Sequence, residues 1–240
     1  MFYNVDKLIK FYDSLLGKVS VQLIEARLKN TFQNTMNLKI LGIGYPVPWL
    51  ENFSAIARDL FLGIPSEFND FKWSRNVLNQ SFVFDHISLP IPDFYFDKVF
   101  ICHLIETSNE VEKLISEIWR ILDGQGKLIL ILPNRLGLWS RNENNPFGQG
   151  TPFSSFQIVN LLSQNGFKNI KINFSLYFPP VENKIVLNNA DKFEFIMSKI
   201  FPSMGGIMIV EATKSIYAIP KPKKELNTKY NLNKGLPETI

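Results

Sequence analysis

The stretch from Asp85 to Asn134 constrains the fold more than any other part of the chain. It reads Asp85-His86-Ile87-Ser88-Leu89-Pro90, a phenylalanine-rich turn, Phe96-Asp97-Lys98-Val99-Phe100-Ile101, an amphipathic segment, a glycine turn and Lys127-Leu128-Ile129-Leu130-Ile131-Leu132. Within the amphipathic segment Val111, Leu114, Ile115, Ile118, Trp119 and Leu122 recur at steps of three and four, the apolar stripe of one helix. Thr107 and Glu110 have the spacing of a capping box, which predicts where that helix starts. Gly124 and Gly126 predict where it stops. The strand that follows is apolar almost without interruption, as suits a parallel strand covered on both faces. Strand, helix and strand with short links make a βαβ unit.

The flanking chain extends this alternation. Leu38 to Gly44 reads as a strand running into Gly42 and Gly44, where missing side chains let a ligand approach the backbone. Further strands are predicted over Asp59–Ile64, Phe82–Phe84 and Lys98–Cys102. The last of these delivers His103 to the carboxyl edge of the sheet, where open α/β folds bind ligands. A histidine there can contact a ligand, act as a general base, or simply hydrogen-bond its own loop. Ser154 and Gln157 form a second capping box, opening a helix that ends at Gly166. Phe167–Tyr177 and Gly206–Ala218 read as the last two strands. Between them a helix over Asp191–Phe201 carries Phe193, Ile196, Met197 and Ile200 on one face. At the other end, residues 6–30 read as a helix interrupted near Gly17, with Phe11 and Tyr12 read first as packing residues of that helix. Phe68–Asn79 shows no clear period and reads as a surface excursion. The irregular stretch from Pro133 to Pro152 is long for a compact domain, and such loops tend to be functional. Asn134, Arg135 and Arg141 are its candidates for ligand contacts.

Composition narrows the function classes. At 240 residues and 45% hydrophobic, the chain can bury the core of one α/β domain. A single cysteine, Cys102, excludes an internal disulfide, and with only His86 and His103 beside it no zinc site is expected. No apolar run reaches the length of a membrane span, and no signal peptide is read at the N-terminus; a cytoplasmic protein is the expectation. From Lys214 onward six lysines and two glutamates account for the whole net charge of +4. The body is therefore formally neutral and carries no electrostatic footprint for nucleic acid.

Asp85, the Leu89-Pro90-x-Pro92-Asp93 turn, Phe96-Asp97-x-Val99, the helix ending Glu117-Ile118-Trp119-Arg120-Ile121-Leu122, the glycine turn and the strand ending Pro133-Asn134 come in a fixed order. That order resembles the second half of a class I S-adenosylmethionine-dependent methyltransferase of the small-molecule, type 11 kind. The resemblance spans roughly Lys10 to Ala218. It implies a Rossmann-like α/β fold, with a seven-stranded, mostly parallel sheet, helices on both faces and an antiparallel last strand. A helical cap over 1–35 and the α/β domain over 36–218 follow from it, and the charge distribution adds a basic, flexible tail over 219–240. It also implies S-adenosylmethionine as cofactor and a small-molecule methyl acceptor. The implied cofactor contacts are Gly42, Gly44 and Tyr45 in the first loop, Ile64 and Pro65 after the second strand, Asp85 and His86 after the third, and His103 and Leu104 after the fourth. His103 is also the implied catalytic candidate. The glycine loop departs from the usual form: Ile40 stands where an acidic residue is common, and Pro46 where a third glycine is common. It matches a divergent Leu-Gly-x-Gly-Tyr-x-x-Pro loop through Leu41, Gly42, Gly44, Tyr45 and Pro48. The carboxylate that usually holds the ribose has only the late Glu67 as a candidate. A non-catalytic module that kept the sheet and lost the cofactor is therefore a second reading. A nicotinamide dehydrogenase fits poorly, because Gly42-x-Gly44-x-x-Val47 lacks its third glycine.

Overall fold

The computed structural model describes residues 5–32, 36–54, 57–68, 80–84 and 88–216. Two helices lead, α1 over Val5–Asp13 and α2 over Leu15–Phe32. Then follow β1 (Lys39–Gly44), α3 (Val47–Ser54), β2 (Asp59–Pro65), β3 (Ser81–Phe84) and β4 (Phe96–Cys102). The second half runs α4 (Val111–Ile121), β5 (Leu122–Pro133), α5 (Ser155–Gln164), β6 (Phe167–Ser175), α6 (Lys184–Asn188), α7 (Ala190–Ile200) and β7 (Ile207–Lys214). The strands form one sheet in the order β3-β2-β1-β4-β5-β7-β6. All neighbours from β3 to β5 pair in parallel, and β7 lies antiparallel between β5 and β6. This is the expected seven-stranded, mostly parallel α/β sheet.

Successive strand residues feed opposite faces, as the two-residue period of a strand requires. Ile40, Phe100, Cys102, Ile129 and Ile131 pack with α1, α2 and α3 on one side. Leu41, Ile43, Val99, Ile101, Leu128 and Leu130 pack with α4 and α5 on the other. Burial on both faces is why these strands read as continuous apolar runs.

Several details differ from the sequence expectations. The leading helix breaks at Ser14, three residues before Gly17, and Gly17 lies inside α2. Thr107 and Glu110 form no capping box: Thr107 Oγ1 donates to the Leu104 carbonyl, and α4 begins after Glu110 without a side-chain cap. Gly124 and Gly126 do not stop the helix, because Leu122 already pairs with Phe96 and both glycines lie in β5. The Ser154–Gln157 capping box forms as expected. Residues 217–240 and most of the Phe68–Asn79 excursion lie outside the described residues. Lys214, counted above with the basic tail, closes β7 and is 1% exposed. Its Nζ donates to the Leu122 carbonyl at 2.6 Å and sits 3.8 Å above the Phe94 ring and 4.1 Å above Trp119.

The motif that carries the family resemblance turns out to be a clamp. Arg120 on α4 donates to the carbonyls of Leu89 and Ile91 and pairs with Asp93 and Glu117. The Glu117 carboxylate in turn accepts the Leu89 amide at 3.1 Å. The Leu-Pro-x-Pro-Asp turn is thus tied to α4, which fixes how β4 enters the sheet.

Lys98 is 3% exposed and donates to the Thr31 carbonyl at 2.9 Å. Burial first, and Lys127 second, push its ammonium from 10.5 down to about 8. Between those two values the unfolded chain holds a proton that the folded chain has released. Stability contributed by this site therefore rises with pH across that window, by on the order of 1–3 kcal/mol. Denaturant melts from pH 7.5 to 10 should show this rise in the wild type and lose it in Lys98→Met; parallel curves for the two proteins would refute it.

Candidate functional site

Because β2 and β3 build outward from β1 and the chain then returns to place β4 on its other side, the sheet order reverses between β1 and β4. Such a switch point leaves a crevice at the carboxyl ends of the two strands. Here that crevice is bounded by two left-handed residues. Gly44 has φ +80, and a Cβ on it would lie 2.2 Å from the Cys102 carbonyl oxygen. His103 has φ 56 although it carries a full side chain. Non-glycine residues in this conformation cost free energy, and they concentrate at functional sites. The Tyr45 amide donates to the Cys102 carbonyl at 2.8 Å, locking the two loops together.

His103 is fully buried. Its Nδ1 lies 3.4 Å from Glu106 Oε1, and its Nε2 lies 2.6 Å from the Tyr12 hydroxyl. A carboxylate beside Nδ1 favours the tautomer with the proton there, which leaves Nε2 as an acceptor for Tyr12. Aromatic rings surround this pair. Tyr45 stacks on Tyr12 with centroids 5.7 Å apart, Trp49 meets Tyr12 edge-on at 5.6 Å, and Phe147 lies 4.8 Å from the imidazole. Burial pushes the Tyr45 phenol up to about 12, with Asp13 adding to it, and raises Tyr12 well above its ordinary value. Burial and then Glu106 raise the Cys102 thiol as well, so Cys102 is a packing residue without a thiolate.

Of the residues singled out from the sequence, Gly44, Tyr45, His103 and Leu104 meet at this crevice. Ile64 and Pro65 end β2 one strand further out, both buried, with Glu67 in the turn just after them. Gly42 faces α3: a Cβ on it would meet Leu50 Cδ1 at 2.6 Å and Pro46 Cγ at 2.8 Å. Asp85 and His86 lie outside the described residues. Asn134 is spent on structure, donating to the carbonyls of Ser203 and Gly205, and Arg135 donates to Pro152. Sequence reasoning passed over Glu106, Trp49 and Phe147. Phe147 comes from an irregular loop that rests on the Glu106 backbone through the Thr151 amide at 2.7 Å.

A cavity of about 400 Å³ opens beside Tyr45 and is lined by Ile9, Tyr12, Asp13, Lys18, Val47 and Pro48, among others. Asp13 and Lys18 offer opposite charges on a wall that also carries Gln22, a set that suits the ammonium and carboxylate of an amino-acid moiety. The methionyl end of S-adenosylmethionine fits that chemistry. Among the described residues no cluster could hold a metal ion, and no helix is long and apolar enough to cross a membrane.

The strand order and the glycine at the switch point are those of the class I S-adenosylmethionine-dependent methyltransferase fold. Residues 42–130 match the family model described as "Methyltransferase domain", and this match, with the fold, supports S-adenosylmethionine as the cofactor. An uncharacterised protein of Methanocaldococcus jannaschii is 28% identical over 231 residues, covering 89% of this chain and 93% of the relative. Two solved structures share the fold. A methyltransferase of Thermotoga maritima, described as a possible histamine N-methyltransferase, aligns with TM-score 0.62 at 16% identity, covering 88% of this chain and 96% of that one. A methyltransferase of Archaeoglobus fulgidus aligns with TM-score 0.56 at 19% identity, covering 85% and 96%.

Proposed function

We propose that this chain is an active methyltransferase that transfers the methyl group of S-adenosylmethionine to a small, apolar or aromatic acceptor. The observation that carries this reading is the crevice between β1 and β4, where Gly44, Tyr45 and His103 meet under α1. When bound, S-adenosylmethionine supplies a methyl group made electrophilic by the sulfonium sulfur. The chain's own work is then positioning and exclusion of water. Tyr45 and the Asp13/Lys18 pair hold the amino-acid end, and Asp85 and His86 are the proposed contacts for the adenine end. Trp49, Phe147 and Trp139 keep the site dry. His103 Nε2 is placed to accept the proton of an O–H or N–H acceptor, with Glu106 holding the ring in its Nδ1–H tautomer.

Beside the departures at Ile40, Pro46 and the ribose carboxylate, the structure adds one observation in favour of the non-catalytic reading: the Tyr12 ring already fills the crevice above Tyr45. Calorimetric titration with S-adenosylmethionine and its demethylated product separates the two. Binding in the micromolar range is expected, weakened about tenfold or more by Asp85→Ala, the loss of one charge-assisted contact. No heat up to millimolar ligand would sink the enzymatic reading.

A further inference from the structure

The ring of Tyr12 lies in a slot made by residues far apart in the chain. One wall is the stacked Tyr45, inclined by only 15°, and a second is the edge of Trp49. At the end of the slot stands a hydrogen-bond acceptor, His103 Nε2, with the Cys102 thiol also in hydrogen-bond reach of the Tyr12 hydroxyl. A flat face, an apolar edge and an acceptor form a recognition site for a planar ring that carries an O–H or N–H. The slot sits at the switch point of the sheet, between the left-handed residues Gly44 and His103.

Its occupant belongs to a short leading helix. Helix α1 has nine residues and joins α2 through the break at Ser14. Cavities flank it on two sides. One, of about 400 Å³, touches Ile9, Tyr12 and Asp13; the other, of about 390 Å³, touches Lys7, Lys10 and Phe11 and continues to Asn144 and Gln149. Helix α1 is therefore the partition between two spaces, and Tyr12 is the bolt that fastens it to His103.

We propose that Tyr12 is a built-in stand-in for the methyl acceptor. The acceptor is a phenol or an aryl amine that displaces the Tyr12 ring, stacks on Tyr45 and gives its hydrogen bond to His103 Nε2, while α1 turns away about Ser14. The proposal rests on the methyltransferase reading only in calling this ligand an acceptor. The slot and its selectivity stand on the geometry alone.

The test uses p-cresol and toluene, two probes that differ by the one hydroxyl. Substituting His103 would instead place another side chain at a left-handed backbone position and confuse folding with recognition. In the wild type, p-cresol should speed hydrogen exchange of the α1 amides, and toluene should not. In Tyr12→Ala the vacated slot should bind p-cresol about tenfold more tightly than toluene, the discrimination expected of one buried acceptor. Equal affinity for the two probes, or p-cresol binding that leaves α1 exchange unchanged, would overturn the proposal. If Tyr12→Ala does not fold, the wild-type exchange experiment decides alone. Titration with S-adenosylhomocysteine runs in parallel. If it binds while the probes are not distinguished, the stand-in falls and the methyltransferase stands. If the probes are distinguished and it does not bind, the slot stands and the transferase reading falls.

Discussion

Gly44→Ala should cost the fold roughly 3–5 kcal/mol and lower the melting temperature by on the order of 10 °C. Two effects combine. The backbone at Gly44 has φ +80, a conformation that costs an alanine about 1–2 kcal/mol. The new methyl group would also lie 2.2 Å from the Cys102 carbonyl oxygen, with Leu104 Cβ next at 3.2 Å. That carbonyl accepts the Tyr45 amide at 2.8 Å and belongs to the strand paired with β1, so it cannot retreat without opening the sheet. Gly42→Ala gives the contrast. Its methyl group would meet the ends of the Leu50 and Pro46 side chains, which can shift, so about 1–2 kcal/mol is expected. Thermal and denaturant unfolding of both variants checks the pair; a Gly44→Ala protein melting within about 2 °C of wild type would refute the argument. The consequence is practical: loss of cofactor binding in a Gly44 variant would report a broken sheet edge, so side-chain contacts such as Asp85 make the better probes.

Much of the fold was legible because it is written in local patterns. Buried parallel strands are apolar runs, the face of α4 is a stripe at steps of three and four, and Ser154–Gln157 satisfies its own helix end. Failures came where a tertiary partner outbid a local signal. Thr107 and Glu110 have capping spacing, yet Thr107 turns back to the Leu104 carbonyl and Glu110 pairs with Lys113. Gly124 and Gly126 look like a helix stop, but pairing of Leu122 with Phe96 had already ended the helix. Lys214 reads as one more tail lysine until the carbonyl of Leu122 and two aromatic faces claim it.

The candidate site was legible as far as position in the topology goes. A histidine just past β4 and a glycine at the end of β1 must come near each other in this fold. The Tyr12–His103 bond spans 91 residues of sequence and joins elements with no shared periodicity, so no local pattern records it. The same holds for Phe147, which reaches the imidazole from an irregular loop, and for Glu106, whose role depends on the left-handed turn at His103.

Helix α7 holds the other large expected effect, at a place where the apolar pattern pointed the wrong way. Phe193, Ile196 and Ile200 share a face, but they are 38%, 52% and 59% exposed, and the buried residues of the helix are Ala190 and Glu194, at 2% and 6%. The Glu194 carboxylate accepts from Ser175 Oγ at 2.6 Å, from the Tyr177 amide at 3.0 Å and from Arg27 Nη2 at 3.4 Å. One side chain thereby fastens α7 to the end of β6 and to α2. Glu194→Leu leaves a buried hydroxyl, a buried amide and a half-buried guanidinium without their acceptor. Removing one partner of such a group costs on the order of 3–5 kcal/mol. Glu194→Gln keeps the shape and one acceptor oxygen and should cost only about 1–2 kcal/mol. The damage should also be local: exchange protection should fall first along α7 and the end of β6, while the β1–β4 centre of the sheet holds. Hydrogen exchange on the two variants checks both points. Equal losses for Leu and Gln, or an even loss across the sheet, would show that α7 is held by its few apolar contacts and not by this carboxylate.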